Sequence, residues 1–365
     1  MKIILEKDLL CEKLSLASRF ISERISSPQT LQGVLITGSK EGTNLYSSNL
    51  NSYFHTKIKI RSPEKFVALI EPRKIIEFLS LLPAGRVEIE IQEKKIIFRR
   101  EKTIGVFSLL NSTDFPLPPK INASEQKIKT KAFKKNLEQV LFSAAKDEGR
   151  PALSGVNAIT NGDLTLVATD GFRLSLAKME KQVSHPPFIA PAAFLEEVLR
   201  LIGDEQEIQF FFLKEEKTIA FKIGDNELFS RLIEGEFPPF EKVIPDKFLT
   251  RAVVDKEELI RAIKLVAVFA RDLSNVVVLN FKENELVVRP KSTGQENKTT
   301  IEIKTEGEEQ TTAFNYKFLL DFLNHVSAGE KNIIIEILRA DAPVVFKEEG
   351  GKDHLHIIMP VRIQE

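Results

Sequence analysis

The sequence predicts an α+β protein made of three similar units, each running helix, strands, helix, strands. Three observations predict it: an internal repeat with a constant displacement, six amphipathic helical patterns, and short alternating strands between them. Leu31-Gln32-Gly33-Val34 returns 122 positions later as Leu153-Ser154-Gly155-Val156, and Asp114-Phe115-Pro116 returns 122 positions later as Glu236-Phe237-Pro238. Ile70-Glu71-Pro72, Ile189-Ala190-Pro191 and Phe314-Asn315 each lead into an apolar helical stretch. The cuts fall near 120 and 246, which gives units 1–120, 121–246 and 247–365. A period this long excludes a solenoid, whose repeats run to roughly 20–45 residues.

Each unit opens on a helix, over 7–25, 131–146 and 255–271, where residues such as Leu259, Ile263, Val266 and Ala270 keep helical spacing. Short strands follow, for example Leu164 to Ala168 and Glu285 to Val288. The second helices span 72–82, 191–202 and 315–328; Pro72 and Pro191 stand at a first turn, where a missing N–H does no harm. Closing strands such as Val87-Glu88-Ile89-Glu90-Ile91 alternate as half-buried antiparallel sheet does.

Composition narrows the class. The 365 residues include 52 basic and 52 acidic side chains, so any nucleic-acid binding depends on placement rather than bulk charge. Placement is uneven: the six helical stretches, with the third begun at 130, hold 16 basic and 11 acidic residues, a balance of +5. Lys131, Lys134, Lys135 and Lys146 stand there against a single acid, Glu138. Solvated helix faces and a phosphate-facing layer both fit that pattern. One cysteine, Cys11, excludes an internal disulfide framework and reads as a small core residue. The start meets charge too early for a signal peptide, and no apolar run approaches the roughly 18 residues of a membrane span. A soluble, cytoplasmic protein is expected.

No glycine-rich nucleotide loop, metalloprotease helix or nucleophile elbow occurs. His354 and His356 fall on one side of a strand, as two metal ligands would, but no third ligand is evident and a solvent-facing pair is expected. Asp163 and Asp170 adjoin glycines and read as turn residues. No catalytic residue, metal or cofactor is expected.

Several segments together resemble the bacterial DNA polymerase III β subunit, the replicative sliding clamp family. They are Arg150-Pro151-Ala152-Leu153-Ser154-Gly155-Val156, Val167-Ala168-Thr169-Asp170-Gly171-Phe172-Arg173-Leu174, Ser230 through Phe240 with Val243-Ile244-Pro245, and Met359-Pro360-Val361-Arg362. The resemblance covers essentially the whole chain in order and implies three clamp domains. It further implies a head-to-tail homodimer that closes a ring, with sheets outside and helices lining the hole. It implies sequence-independent binding of double-stranded DNA, no catalysis, and no membrane. The implied partners are the DNA polymerase III catalytic subunit, the clamp loader and other clamp-motif proteins.

Residue by residue, the resemblance implies a peptide groove. Its floor is Leu153, Thr169, Gly171, Leu174, Pro238, Val243, Ile357 and Met359; Arg150, Phe172, Arg173, Asn315, Phe318, Pro360, Val361 and Arg362 form walls and a second subsite. Phe172 stands where the family usually has His, and Phe318 where it often has Tyr. DNA-facing residues would be Arg24, Arg73, Lys131, Lys134, Lys135 and Arg150, while Ala193 takes a position that is often basic. The dimer contact would set Val106 and Phe107 against Val268 and Phe269 of another copy. Two other classes remain open on sequence: a clamp-like scaffold that binds peptides without encircling DNA, and an enzyme on a repeated α+β frame.

Overall fold

The computed structural model describes residues 2–24, 26–147, 149–271, 275–291, 297–351 and 353–362. Six α-helices form: α1 (Lys7–Ala17), α2 (Pro72–Leu81), α3 (Thr130–Leu141), α4 (Ala192–Leu201), α5 (Lys256–Ala270) and α6 (Tyr316–Asn324). They match the six helical stretches but end sooner. α1 gives way to a 3-10 turn at Ser18–Phe20, so Arg24 lies in irregular chain. Ser15 and Ser18 donate to the carbonyls of Cys11 and Ser15, local bonds that compete with continued helix. Side chains cap three of the starts: Glu71 accepts from Arg73 N, Asp255 from Glu258 N, and Asn315 from Lys317 N. The helices pack as α1–α2, α3–α4 and α5–α6, one pair for each sequence repeat.

The chain forms two compact units, residues 1–127 with 207–232, and residues 128–206 with 233–365. The first is built on a twelve-stranded sheet. Its order is β1 (Lys2–Glu6), β6 (Arg86–Ile91), β7 (Lys95–Arg100), β8 (Thr103–Leu110), β5 (Phe66–Ile70), β2 (Val34–Ser39), β3 (Gly42–Ser48), β4 (Ser52–Ile58), β16 (Asn226–Arg231), β15 (Thr218–Ile223), β14 (Glu207–Leu213) and β9 (Gln126–Lys129). Antiparallel pairing of β4 with β16, from Thr56 opposite Asn226 to Ser52 opposite Ser230, joins strands of the first and second repeats.

The second unit has two sheets. Nine strands run in the order β13 (Phe188–Pro191), β10 (Gly155–Asn161), β11 (Asp163–Thr169), β12 (Arg173–Met179), β25 (His354–Ile358), β24 (Val344–Glu348), β23 (Asn332–Ile337), β17 (Thr250–Asp255) and β21 (Lys304–Gly307). The other four are β20 (Thr299–Glu302), β19 (Glu285–Pro290), β18 (Val276–Lys282) and β22 (Gln310–Asn315). Here β12 pairs with β25, with Arg173 opposite Ile358 and Leu174 opposite Ile357, again joining strands of successive repeats. Helices α5 and α6 bury Ile263, Val266, Leu319 and Phe322 against Phe281, Phe314 and Phe346 of these sheets. The other face of β11, β12, β24 and β25 carries a separate apolar cluster of Val167, Leu174, Leu176, Val345 and Ile357, covered by Phe240.

The repeated glycine has a steric cause. A Cβ on Gly33 would stand 3.1 Å from the carbonyl oxygen of Ile70, and one on Gly155 would stand 2.7 Å from that of Ala190. In the first and second repeats the chain entering the strand after the first helix therefore approaches its neighbour more closely than a side chain permits.

Candidate functional site

Four distant segments meet at one end of the nine-stranded sheet. The turn between β11 and β12 is held by its own side chains: the Asp170 carboxylate accepts from Phe172 N at 2.9 Å and Arg173 N at 3.0 Å. Thr169 Oγ1 accepts from Gly171 N and donates to Arg173 O at 2.6 Å. Gly171 has φ +91°, a conformation that favours glycine, and the guanidinium of Arg150 lies against its open side. Phe172 O accepts from Met359 N at 2.8 Å, which brings the chain after β25 alongside this turn. The remaining segments are the Phe240–Val243 3-10 turn, reached through Pro238, and the start of α6 with Asn315 and Phe318.

The N–H groups of this turn are paired, and large apolar side chains stand exposed around it. Phe172 is 59% exposed, Val243 42% and Met359 39%, while Leu174 and Ile357 beneath them are 4% and 2% exposed. Leu153 and Thr169 are also buried, and Gly171 and Pro238 are exposed. The expected floor thus divides into a buried bed and an exposed rim. Val361 packs on Val276, Val278 and Ala313, and its N–H donates to Ala313 O at 2.7 Å. Pro360 is half-buried, and Arg362 is exposed with its carbonyl accepting from Lys291 Nζ. Arg173, expected as a wall, is instead buried and fully engaged with protein groups.

A second surface comes from α3. Phe133, Leu137 and Val140 face the core, leaving Lys131, Lys134 and Lys135 exposed without an acidic partner among the described residues. With Glu138, Gln139 and the Asn324–Ala328 segment they line an open groove between α3 and the end of α6. Arg150 does not join them; its guanidinium lies against Gly171 at the other site. In the first unit, Arg73 is exposed but paired with Glu23 at 3.1 Å, and Arg24 is exposed nearby in sequence. Ala193 is exposed in the first turn of α4.

Comparison with known proteins decides what these surfaces belong to. The chain matches the DNA polymerase III beta subunit: its N-terminal domain over residues 1–119, its central domain over 127–239 and its C-terminal domain over 241–362. It is 30% identical to the beta sliding clamp of Chlamydia pneumoniae over 322 residues, covering 85% of this chain and 84% of that one. The chain belongs to the beta sliding clamp family. The Bacillus subtilis beta sliding clamp is 28% identical over 99% of this chain and 100% of its own length. A crystal structure of the Bacillus subtilis DNA polymerase sliding clamp superposes with a TM-score of 0.91 at 25% identity, covering both chains completely. Beta clamps are non-catalytic processivity factors that encircle DNA as homodimeric rings and bind polymerase and peptide partners.

The residues expected at the dimer contact lie on β8 and α5. On β8, Ile104 and Val106 are exposed, whereas Phe107 turns inward with its ring edge-on to Phe78 and Phe98 at 5.6 and 5.8 Å. The two-residue strand period makes Ile104, not Phe107, the outward companion of Val106. On α5, Val268 and Phe269 are exposed together with Leu265, one helical turn earlier. Leu265 also lines a hollow with Glu258, Arg261 and Thr299–Glu302, where β20 forms one edge of its sheet.

The clamp also corrects the expectation of solvent-facing histidines. His354 and His356 are buried on the helix-covered side of β25, with His356 stacked on Phe322 at 5.0 Å. His354 Nδ1 donates to Glu348 Oε1 at 3.2 Å, and His356 Nδ1 shares a 2.7 Å hydrogen bond with Ser175 Oγ. Burial, with His354, Arg173 and His325 nearby, pushes His356 well below the usual histidine range, so it is neutral. Burial would raise Glu348, but hydrogen bonds from His354 and Ser327 outweigh it and hold the carboxyl at about 2. Among the described residues no group of histidine, cysteine and carboxylate side chains is arranged for a metal ion. No helix there is long and apolar enough to cross a membrane.

Proposed function

We propose that this chain works in the cytoplasm as three clamp domains, 1–120, 121–246 and 247–365. Two copies join head to tail around duplex DNA, through Ile104 and Val106 of β8 and Leu265, Val268 and Phe269 of α5. Exposed apolar side chains support that contact: β8 pairs with β5 only at Leu109 and Leu110, so its Ile104–Val106 stretch is laddered on one side alone, and β20 beside α5 ends its sheet. A head-to-tail contact of this kind makes a ring when its rotation closes. Lys131, Lys134 and Lys135 meet phosphates, with Arg24 and Arg73 as further cations. Such contacts carry no sequence information, so the ring slides, and closure keeps it on the duplex without tight affinity.

Partner peptides of the DNA polymerase III catalytic subunit, the clamp loader and other clamp-motif proteins dock on Phe172, Val243 and Met359. The groove continues through Leu153, Thr169, Gly171, Leu174, Pro238 and Ile357, with Arg150, Asn315, Phe318, Pro360, Val361 and Arg362 around it. The observation that carries this reading is the meeting of four segments around exposed apolar side chains, at a turn whose backbone N–H groups are already paired. The test is loading onto nicked circular DNA. The protein should run at about twice 41.3 kDa in solution, stay on closed circles through gel filtration, and leave when the circle is linearised. Peptide binding without such retention would indicate a docking scaffold that no longer encircles DNA.

A further inference from the structure

Arg173 is 8% exposed, and each of its three guanidinium nitrogens donates to a different part of the second unit. Nε donates to Asp170 Oδ2 at 3.0 Å in its own turn, Nη1 to Asp321 Oδ2 at 2.6 Å on α6, and Nη2 to Phe142 O at 2.6 Å at the end of α3. Its Cζ lies over the ring of Phe318, 4.5 Å from the centroid, and over that of Phe142 at 5.6 Å. A guanidinium so engaged has little left to offer a peptide. It is well placed to fix whatever touches it.

We propose that Asp321 and Asp170 are positioning residues for partner-peptide recognition: they lock the Arg173 guanidinium, and that cation holds the Phe318 ring in the orientation that receives an apolar peptide side chain. The proposal rests on the peptide-docking reading above. The order of action follows from the geometry. Asp170 sits within the turn and is shielded, while Asp321 reaches in from α6 and is about half exposed. Removing the Asp321 carboxylate therefore leaves the turn intact but frees one edge of the guanidinium. Phe318, one turn earlier on α6 than Asp321, then loses the fixed cation over its ring. A receiving ring that can rotate gives up part of its binding free energy to ordering. His325 Nδ1 donates to Asp321 O, so the backbone at this point of α6 stays fixed when the side chain is changed.

The experiment measures a fluorescein-labelled peptide containing leucine and phenylalanine by anisotropy on the full-length protein. Asp321→Asn should weaken binding about tenfold, mainly through faster dissociation. Asp321→Glu should recover most of the loss. In a Phe318→Ala background, Asp321→Asn should have no further effect, because it acts through that ring. Retention on nicked circles and the thermal midpoint should match wild type, which separates positioning from loss of fold. Wild-type affinity in Asp321→Asn, or losses that simply add in the double variant, would overturn the proposal. If the wild-type protein itself does not bind the peptide, it is the peptide-docking reading that fails.

Discussion

The lysine face of α3 and the groove at the end of β12 and β25 belong to the same unit and are built by opposite means. The lysine face needs one helix, leaves Lys131, Lys134 and Lys135 in solvent, and gives them no acidic partner among the described residues. The groove draws on four segments, and its turn is pinned by hydrogen bonds to Thr169 and Asp170. The difference follows from what each meets. A phosphate backbone presents charge everywhere, so mobile cations suffice and rigidity would hinder sliding. A short peptide presents a few side chains, and an apolar pocket discriminates among them only if it holds still.

Three perturbations test that contrast, in falling order of effect, and a fourth, smaller one tests the buried histidine. Deleting residues 359–365, of which 363–365 lie outside the described residues, should nearly abolish peptide binding and polymerase stimulation while the dimer persists; wild-type affinity in the deletion would move the groove elsewhere. Met359→Ala removes one exposed apolar anchor and should cost roughly 1–3 kcal/mol of peptide affinity, read by titration calorimetry, with DNA retention unchanged. Lys134→Glu with Lys135→Glu should do the reverse. Retention on circles should fall about tenfold near physiological salt and become less salt-sensitive, with peptide affinity intact. Equal salt slopes for variant and wild type would remove these lysines from the DNA surface.

The smallest effect is a pH dependence. His356 is neutral in the fold, with its pKa pushed below the ordinary 6.5, so the unfolded chain binds the extra proton. Stability from this site is present above about pH 6.5 and is lost as pH falls below it. Glu348 adds its own loss lower down, as pH falls from about 4.5 toward about 2. Urea midpoints measured between pH 7 and 5 should decline in wild type and decline less in His356→Leu. A flat wild-type profile would contradict the neutral assignment.

The repeat, the helices and the α3 lysines were legible because each is a local pattern: a constant displacement, a 3.6-residue period, a run of like charge. The groove bed was legible only through the family resemblance, since Leu174 and Ile357 become neighbours through strand pairing that no local pattern announces. The pairing of Arg173 with Asp321 spans 148 positions and left no signal in either segment. The histidine strand misled for a definite reason. Alternation assigns one face of a strand to solvent, but β25 is covered on both faces, by Phe322 on one side and the Phe240 cluster on the other. Val106 and Phe107, read together from the sequence, point to opposite faces of β8, as adjacent strand residues do.

Three look-alike repeats invite the idea of interchangeable modules, and the sheet pairing argues against it. β16 of the second repeat completes its ladder on β4 of the first, and β12 of the second completes its ladder on β25 of the third. A middle repeat excised or shuffled into another chain would carry two orphaned edges, one beside Leu228 and Phe229 and one beside Leu174 and Leu176. Such edges recruit foreign strands. Recombination within a repeat boundary would thus yield sticky fragments rather than working hybrids, so the smallest portion of this chain that can be inherited or engineered as a piece is larger than the repeat its sequence displays.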